Sequence, residues 1–79
     1  MARIQIYTTS NCSYCVRAKR LLDSKGLSYE EIDLEGQEDE LLKLKARTGW
    51  RTVPQIFIDD KLIGGYNELV ALDRSGNLK

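Results

Sequence analysis

The spacing of apolar and polar positions divides the chain into seven elements. Ile4 and Ile6 alternate with Gln5 and Tyr7 over Ile4 to Thr8, a β-branched and aromatic run that predicts a short strand. Thr8-Thr9-Ser10-Asn11 is a polar loop rich in residues that cap helices. From Ser13 to about Ser24, Val16, Ala18, Leu21 and Leu22 fit the inner face of a helix, and Gly26 supplies its stop. Leu27 to Leu34 reads as a second strand anchored by Tyr29 and Ile32, with a loop at Gly36. Leu41, Leu42, Leu44 and Lys45 lie within a second helix that ends near Gly49. Thr52 to Ile58 is an apolar strand with a proline near its start, and Asp59-Asp60-Lys61 turns it into a fourth strand over Lys61-Leu62-Ile63. Gly64-Gly65 breaks that strand, and Asn67 to about Arg74 reads as a last helix with Leu69, Val70 and Leu72 inward.

The order is therefore β-α-β-α-β-β-α. Strand–helix–strand at the start implies a right-handed parallel crossover, and the later hairpin adds an antiparallel pair. The expected fold is α/β and thioredoxin-like, a four-stranded mixed sheet flanked by helices. Seventy-nine residues make one domain, 1–79, without repeat, linker or low-complexity segment. A core this small rarely supplies more than about 3–5 kcal/mol.

Charge changes the picture little. Twelve basic and twelve acidic residues cancel, so nothing in the balance points to nucleic acid or a membrane surface. Arg17, Lys19, Arg20 and Lys25 follow the cysteines, and an acidic run from Glu30 to Glu40 comes next. These are two solvated faces, or the basic one favours thiolate and anionic ligands near the cysteines. The N-terminus lacks the apolar stretch of a signal peptide, and no later run is long enough to span a bilayer, so a cytoplasmic address is expected.

Two cysteines and no histidine narrow the chemistry. A bridge between Cys12 and Cys15 closes too short a loop to staple the fold, and structural cysteines are expected to be buried and irregularly spaced, unlike this pair. Zinc needs about four ligands, which one chain does not offer. Cys12-Ser13-Tyr14-Cys15 instead sits where a strand hands over to a helix, the setting of a redox C-x-x-C. Unpartnered N–H groups and the helix dipole make a helix N-terminus partly positive, so a thiolate at Cys12 is stabilised there. Cys15 follows three residues on, within reach of a mixed disulfide at Cys12. Lys19, one turn further, adds to the positive field.

Three segments in this order resemble the glutaredoxin family over nearly the whole chain. They are Cys12-Ser13-Tyr14-Cys15, Thr52-Val53-Pro54-Gln55-Ile56-Phe57-Ile58, and Ile63-Gly64-Gly65-Tyr66-Asn67-Glu68-Leu69. The resemblance implies a glutathione-dependent thiol–disulfide oxidoreductase, with Cys12 attacking and Cys15 resolving. It implies a cis proline at Pro54 opposite the attacking cysteine. Thr52 and Val53 then lie in the segment whose backbone pairs with the cysteinyl part of glutathione. Gly65, Tyr66 and Asn67 form a helix start that receives the γ-glutamyl carboxylate, although Asn67 also suits a plain N-cap. Tyr14 flanks the bound peptide or simply packs, and Arg51 is a partner for the glycine carboxylate. Trp50 is either a surface aromatic or a contact for substrate proteins.

Three positions depart from the family pattern. Ser13 stands where proline is common, Asn67 where aspartate is common, and Thr9 where a lysine often precedes the first cysteine. The last two weaken the charge available to glutathione. Family members with Cys-Ser-Tyr-Cys include some that hold a [2Fe–2S] cluster between two protomers, which makes Cys12 a candidate cluster ligand in a dimer of an otherwise monomeric protein. The expected partners are glutathione and glutathionylated or disulfide-containing proteins. Two rival readings follow from the departures: a cluster carrier, and a redoxin reduced by thioredoxin reductase.

Overall fold

The computed structural model describes residues 3–78; residues 1, 2 and 79, which belong to the ends of the domain read from the sequence, lie outside them. Seven elements follow one another as β1 (Ile4–Thr8), α1 (Ser13–Ser24), β2 (Glu30–Asp33), α2 (Glu38–Thr48), β3 (Gln55–Ile58), β4 (Lys61–Gly64) and α3 (Tyr66–Arg74). The strands form one sheet in the order β2-β1-β3-β4. β1 runs parallel to β2 and antiparallel to β3, and β3 antiparallel to β4. This is the mixed thioredoxin-like sheet expected from the element order.

β1 shows the logic of a strand with helices on both sides. Ile4, Ile6 and Thr8 are buried on one face, where the two isoleucines meet Ala18 and Leu22 of α1, Ile56, Leu69 of α3 and Leu78. Tyr7 takes the other face, edge-on to Phe57 at 5.6 Å. It shares a concavity of about 490 Å³ there with Ile32, Leu34 and Leu44. α1 ends in a Schellman motif: Leu27 N–H donates to Leu22 O at 3.1 Å and Gly26 N–H to Asp23 O at 3.0 Å. Gly26 adopts φ 69° to make that turn. α2 carries Glu38, Asp39 and Glu40 in its first turn and Lys45 and Arg47 in its last, the charge order that the helix dipole favours.

Four expectations shift. The second strand is Glu30–Asp33 rather than Leu27 to Leu34, because β1 offers partners only from Gln5↔Glu30 to Thr8↔Asp33; Leu27 and Tyr29 pack on the core outside the ladder. β3 begins at Gln55 rather than Thr52, since its register with β1 stops at Tyr7↔Gln55 and Pro54 has no N–H to donate. Val16 is 41% exposed rather than inward. The buried stripe of α1 is Cys15, Ala18 and Leu22, and Val16 is turned about 100° from Cys15. On α3, Leu69 alone is fully buried, Leu72 packs at the core's edge, and Val70 lines a surface cleft with Ala71 and Arg74.

A polar network ties α1 to the sheet. Lys19 Nζ and the buried Thr8 hydroxyl both donate to Glu31 Oε2, at 2.9 and 2.8 Å. These bonds, Lys19's first, hold the Glu31 carboxyl below its usual range, and the same ion pair holds the Lys19 ammonium above its own. The stabilisation is therefore present between the two titrations. It fades as pH falls below the ordinary carboxylate range, and again as pH rises past the ordinary lysine range. Both partners are about a third exposed, so Glu31→Gln is expected to cost only about 0.5–1 kcal/mol near neutrality. Denaturant midpoints measured down the acid limb should show the variant losing less stability than the parent. By contrast, Leu22→Ala removes a fully buried core side chain and is expected to cost about 2–5 kcal/mol. Leu42→Ala, at a position 63% exposed, should shift stability by less than about 0.5 kcal/mol. Urea unfolding of the two variants checks the contrast.

Candidate functional site

Cys12 occupies the N-cap of α1 in an extended conformation, φ −113° and ψ 107°. Its Sγ takes the role that Ser or Asp oxygens play at other helix starts, accepting the Cys15 N–H at 3.1 Å. On its other side the thiol donates to Val53 O at 3.4 Å. The sulfur is thus held between a helix N-terminus and the turn that enters β3, and it is half-buried.

Cys15 is in a different environment. Its side chain is 2% exposed, which corrects the expectation that neither cysteine is buried. Burial, then the hydrogen bond from Cys12, push its thiol up to about 12, against the opposing pull of the Thr9 backbone N–H and the Lys19 charge. Lys19 does stand near the pair, but as a partner of Glu31. Both cysteines are free thiols.

Val53 opens onto a groove of about 330 Å³ whose walls include Tyr14, Trp50, Thr52, Pro54, Tyr66 and Asn67. The Val53–Pro54 bond is cis, as the resemblance implied. Tyr14, 51% exposed, leans against Tyr66 at 5.9 Å between ring centroids, and Arg17 lies over the Tyr14 ring at 5.4 Å. At the far wall the chain turns through Gly64 and Gly65. Gly64 has φ 130°, and a Cβ there would sit 2.6 Å from Glu68 Cγ, so no other residue fits.

Gly65, not Asn67, is the N-cap of α3; Asn67 is the second helical residue. Glu68 Oε1 reaches back to the Gly65 N–H at 3.0 Å, half of a capping box whose other half a glycine lacks. No side chain caps the first turn of α3, so N–H donors at Tyr66 and Asn67 are left for an anion in the groove.

Of the residues expected from the sequence, Cys12 is joined to Cys15 and Val53, and Tyr14, Thr52, Val53, Pro54, Gly65, Tyr66 and Asn67 line one groove. Arg51 is exposed and is not part of the groove's lining. Trp50, left undecided by the sequence, is a wall of the groove. Glu68 was not anticipated; its place three residues after Gly65 is the signal that would have found it. Among the described residues no group of three or more His, Cys, Asp or Glu side chains could hold a metal. One accessible thiol supplies one ligand, so a [2Fe–2S] cluster, which takes four, does not fit within a single chain.

Comparison with known proteins places this geometry. A glutaredoxin family model matches residues 4–63. The chain belongs to the glutaredoxin family. It is 49% identical to glutaredoxin 3 of Escherichia coli over 78 residues, covering 99% of this chain and 94% of that protein. It is 44% identical to a glutaredoxin of Pseudomonas aeruginosa, covering 99% and 93%. Among solved structures, the buckwheat glutaredoxin–glutathione complex matches with a TM-score of 0.88 at 36% identity, covering 98% of this chain and 73% of that one. Glutaredoxin 1 of Francisella tularensis, complexed with cacodylate, matches with 0.83 at 34% identity, covering 99% and 100%. Glutaredoxins are thiol oxidoreductases of thioredoxin-like fold, and the chain is one by family and by architecture.

The asymmetry between the two thiols has a direct readout. Iodoacetamide at about pH 8 is expected to modify Cys12 alone in the folded protein, Cys15 reacting only in denaturant. Peptide mapping by mass spectrometry checks this. Equal labelling of both cysteines in the native state would contradict the buried, proton-retaining environment of Cys15.

Proposed function

We propose that this glutaredoxin reduces glutathione mixed disulfides and protein disulfides, using glutathione as its reductant and Cys12 as its nucleophile. The observation that carries the reading is the position of Cys12 Sγ, 3.1 Å from the Cys15 N–H and 3.4 Å from Val53 O. One sulfur is thereby joined to a charge-stabilising helix start and to the edge of a peptide-sized groove. The glutathione held by the buckwheat relative supports the same ligand here.

The chemistry follows thiol–disulfide exchange. Cys12 thiolate, stabilised by the Cys15 N–H and the dipole of α1, attacks the glutathione sulfur of a mixed disulfide. The S–S bond breaks, the client thiolate leaves and takes a proton from water, and Cys12–glutathione disulfide forms. A glutathione thiolate then attacks that disulfide, producing oxidised glutathione and restoring Cys12. Val53 backbone groups hold the cysteinyl part of glutathione in strand-like pairing. The uncapped N–H groups at Tyr66 and Asn67 receive its γ-glutamyl carboxylate, and Thr52, Pro54, Gly65 and Tyr14 shape the groove around it. In-line placement of the sulfur favours attack at glutathione over attack at the client.

For a protein disulfide, Cys12 first forms a mixed disulfide with the client. Cys15 attacks it, forming the Cys12–Cys15 disulfide and releasing the reduced client; two glutathiones then reduce that bond and leave as oxidised glutathione. Two of the influences that raise the Cys15 thiol come from Cys12, its hydrogen bond and its charge. Both weaken once Cys12 sulfur is in a disulfide, so Cys15 is a better nucleophile at the step that needs it than in the resting protein.

Reduction of a small glutathione mixed disulfide, coupled to glutathione reductase and NADPH, tests the reading. Cys12→Ser should fall to the uncatalysed rate, while Cys15→Ser should keep turnover within a few-fold of the parent. A Cys12→Ser protein with parental activity would overturn the assignment. Reduction by NADPH and thioredoxin reductase without glutathione would favour the rival redoxin.

A further inference from the structure

The segment that carries Val53 has no secondary structure of its own: six residues, 49–54, separate the end of α2 from the start of β3. The two residues that bound it are joined to each other. Thr48 is the last residue of α2 and Gln55 the first of β3, and the Thr48 hydroxyl lies 3.0 Å from Gln55 Oε1. That hydroxyl also lies 3.0 Å from Leu44 O and shares its single proton between the two acceptors. The same pair grips Trp50 from both sides. Trp50 N–H donates to Thr48 Oγ1 at 3.1 Å, and Gln55 Nε2 donates to Trp50 O at 2.6 Å.

Gln55 is 0% exposed, a rare burial for a glutamine. Leucine or methionine there would leave Trp50 O without its donor and the Thr48 hydroxyl without one of its acceptors. What the amide adds is a closed ring of hydrogen bonds across the mouth of the segment. Trp50 is itself a wall of the groove beside Thr52, Val53 and Pro54.

Resting on the function proposed above, we infer that Gln55 and Thr48 are positioning residues for glutathione. Neither lines the groove. They act through the backbone of Trp50, holding the 49–54 segment so that Val53 meets the peptide in the pairing geometry. Ordering the segment in advance spares the ligand the entropy of doing so. The clamp therefore serves affinity for the glutathionyl group, while the Cys15 N–H on α1 keeps its hold on the Cys12 sulfur even where the Val53 contact loosens.

The experiment uses the whole chain with Gln55→Met, Thr48→Val and Thr48→Ser. Gln55→Met should raise KM for a glutathione mixed disulfide roughly tenfold, and Thr48→Val roughly threefold, with kcat within twofold of the parent. Cys12 should still react with iodoacetamide in the folded variants, since the Cys15 N–H continues to hold its sulfur, and Thr48→Ser, which keeps the hydroxyl, should restore the parental KM. Amide hydrogen exchange at Trp50 reads the clamp without any activity assay: protection should be lost in Thr48→Val and kept in Thr48→Ser. Thr48→Val decides the matter if Gln55→Met does not fold. A parental KM in folded Thr48→Val and Gln55→Met, or a fall in kcat as large as the rise in KM, overturns the positioning role. An inactive parent overturns the function proposed above instead, and Trp50 exchange then decides the clamp: unchanged protection in Thr48→Val would refute it.

Discussion

The site depends on one pairing register. β1 and β3 run antiparallel with Tyr7 opposite Gln55, which sets the outgoing end of β1 beside the incoming end of β3. The chain leaving β1 reaches Cys12 within a few residues, and the chain arriving at β3 passes through Val53 and Pro54. Because the two ends are neighbours in the sheet, a sulfur and a carbonyl 41 residues apart come within 3.4 Å. A slip of one residue would turn every side chain of β3 to the opposite face. Ile56 would leave the core, so the hydrophobic face that stabilises the sheet also fixes the geometry of the thiol.

Around that junction, the two cysteines divide the requirements of exchange chemistry between them. Cys12 stands where backbone donors converge and solvent reaches. Cys15 belongs to the buried stripe of α1, packed like its helical neighbours Ala18 and Leu22. A three-residue spacing on one helix is enough for this contrast, because Cys12 is the cap and Cys15 lies a turn inside. The cost of burying the second thiol is carried by the protonated form it keeps at rest.

Among the described residues, the buried polar side chains Thr8 and Gln55 each belong to a hydrogen-bonded set that joins a helix to the sheet. Thr8, Glu31 and Lys19 tie α1 to β1 and β2; Thr48 and Gln55 tie α2 to β3. A core of this size leaves little margin for unpaired buried groups, and in both sets the buried member is satisfied. Each set borders one side of the site, the first behind the cysteine helix and the second behind the groove wall.

Much of this was legible before the fold was known. Alternation at Ile4–Thr8, the apolar spacing after Ser13 and the glycines at 26 and 49 belong to local physics, so the sequence by itself determined the elements and their order. The spacing of Cys12 and Cys15 at a strand-to-helix junction likewise determined the type of chemistry. Tertiary structure decided the rest, because it depends on partners distant in sequence. The ends of β2 and β3 were set by what β1 could pair with, not by their own apolar runs. Val16, apolar and helical, faces outward because Cys15 takes the inward place. Asn67 yields the cap to Gly65, whose N–H is claimed by Glu68. Gln55 reads in sequence as one more residue of a strand, and only the fold brings its amide to Thr48 and Trp50. Periodicity reports which way a side chain points along its own element, while hydrogen-bond partners across elements exist only once register and packing are fixed.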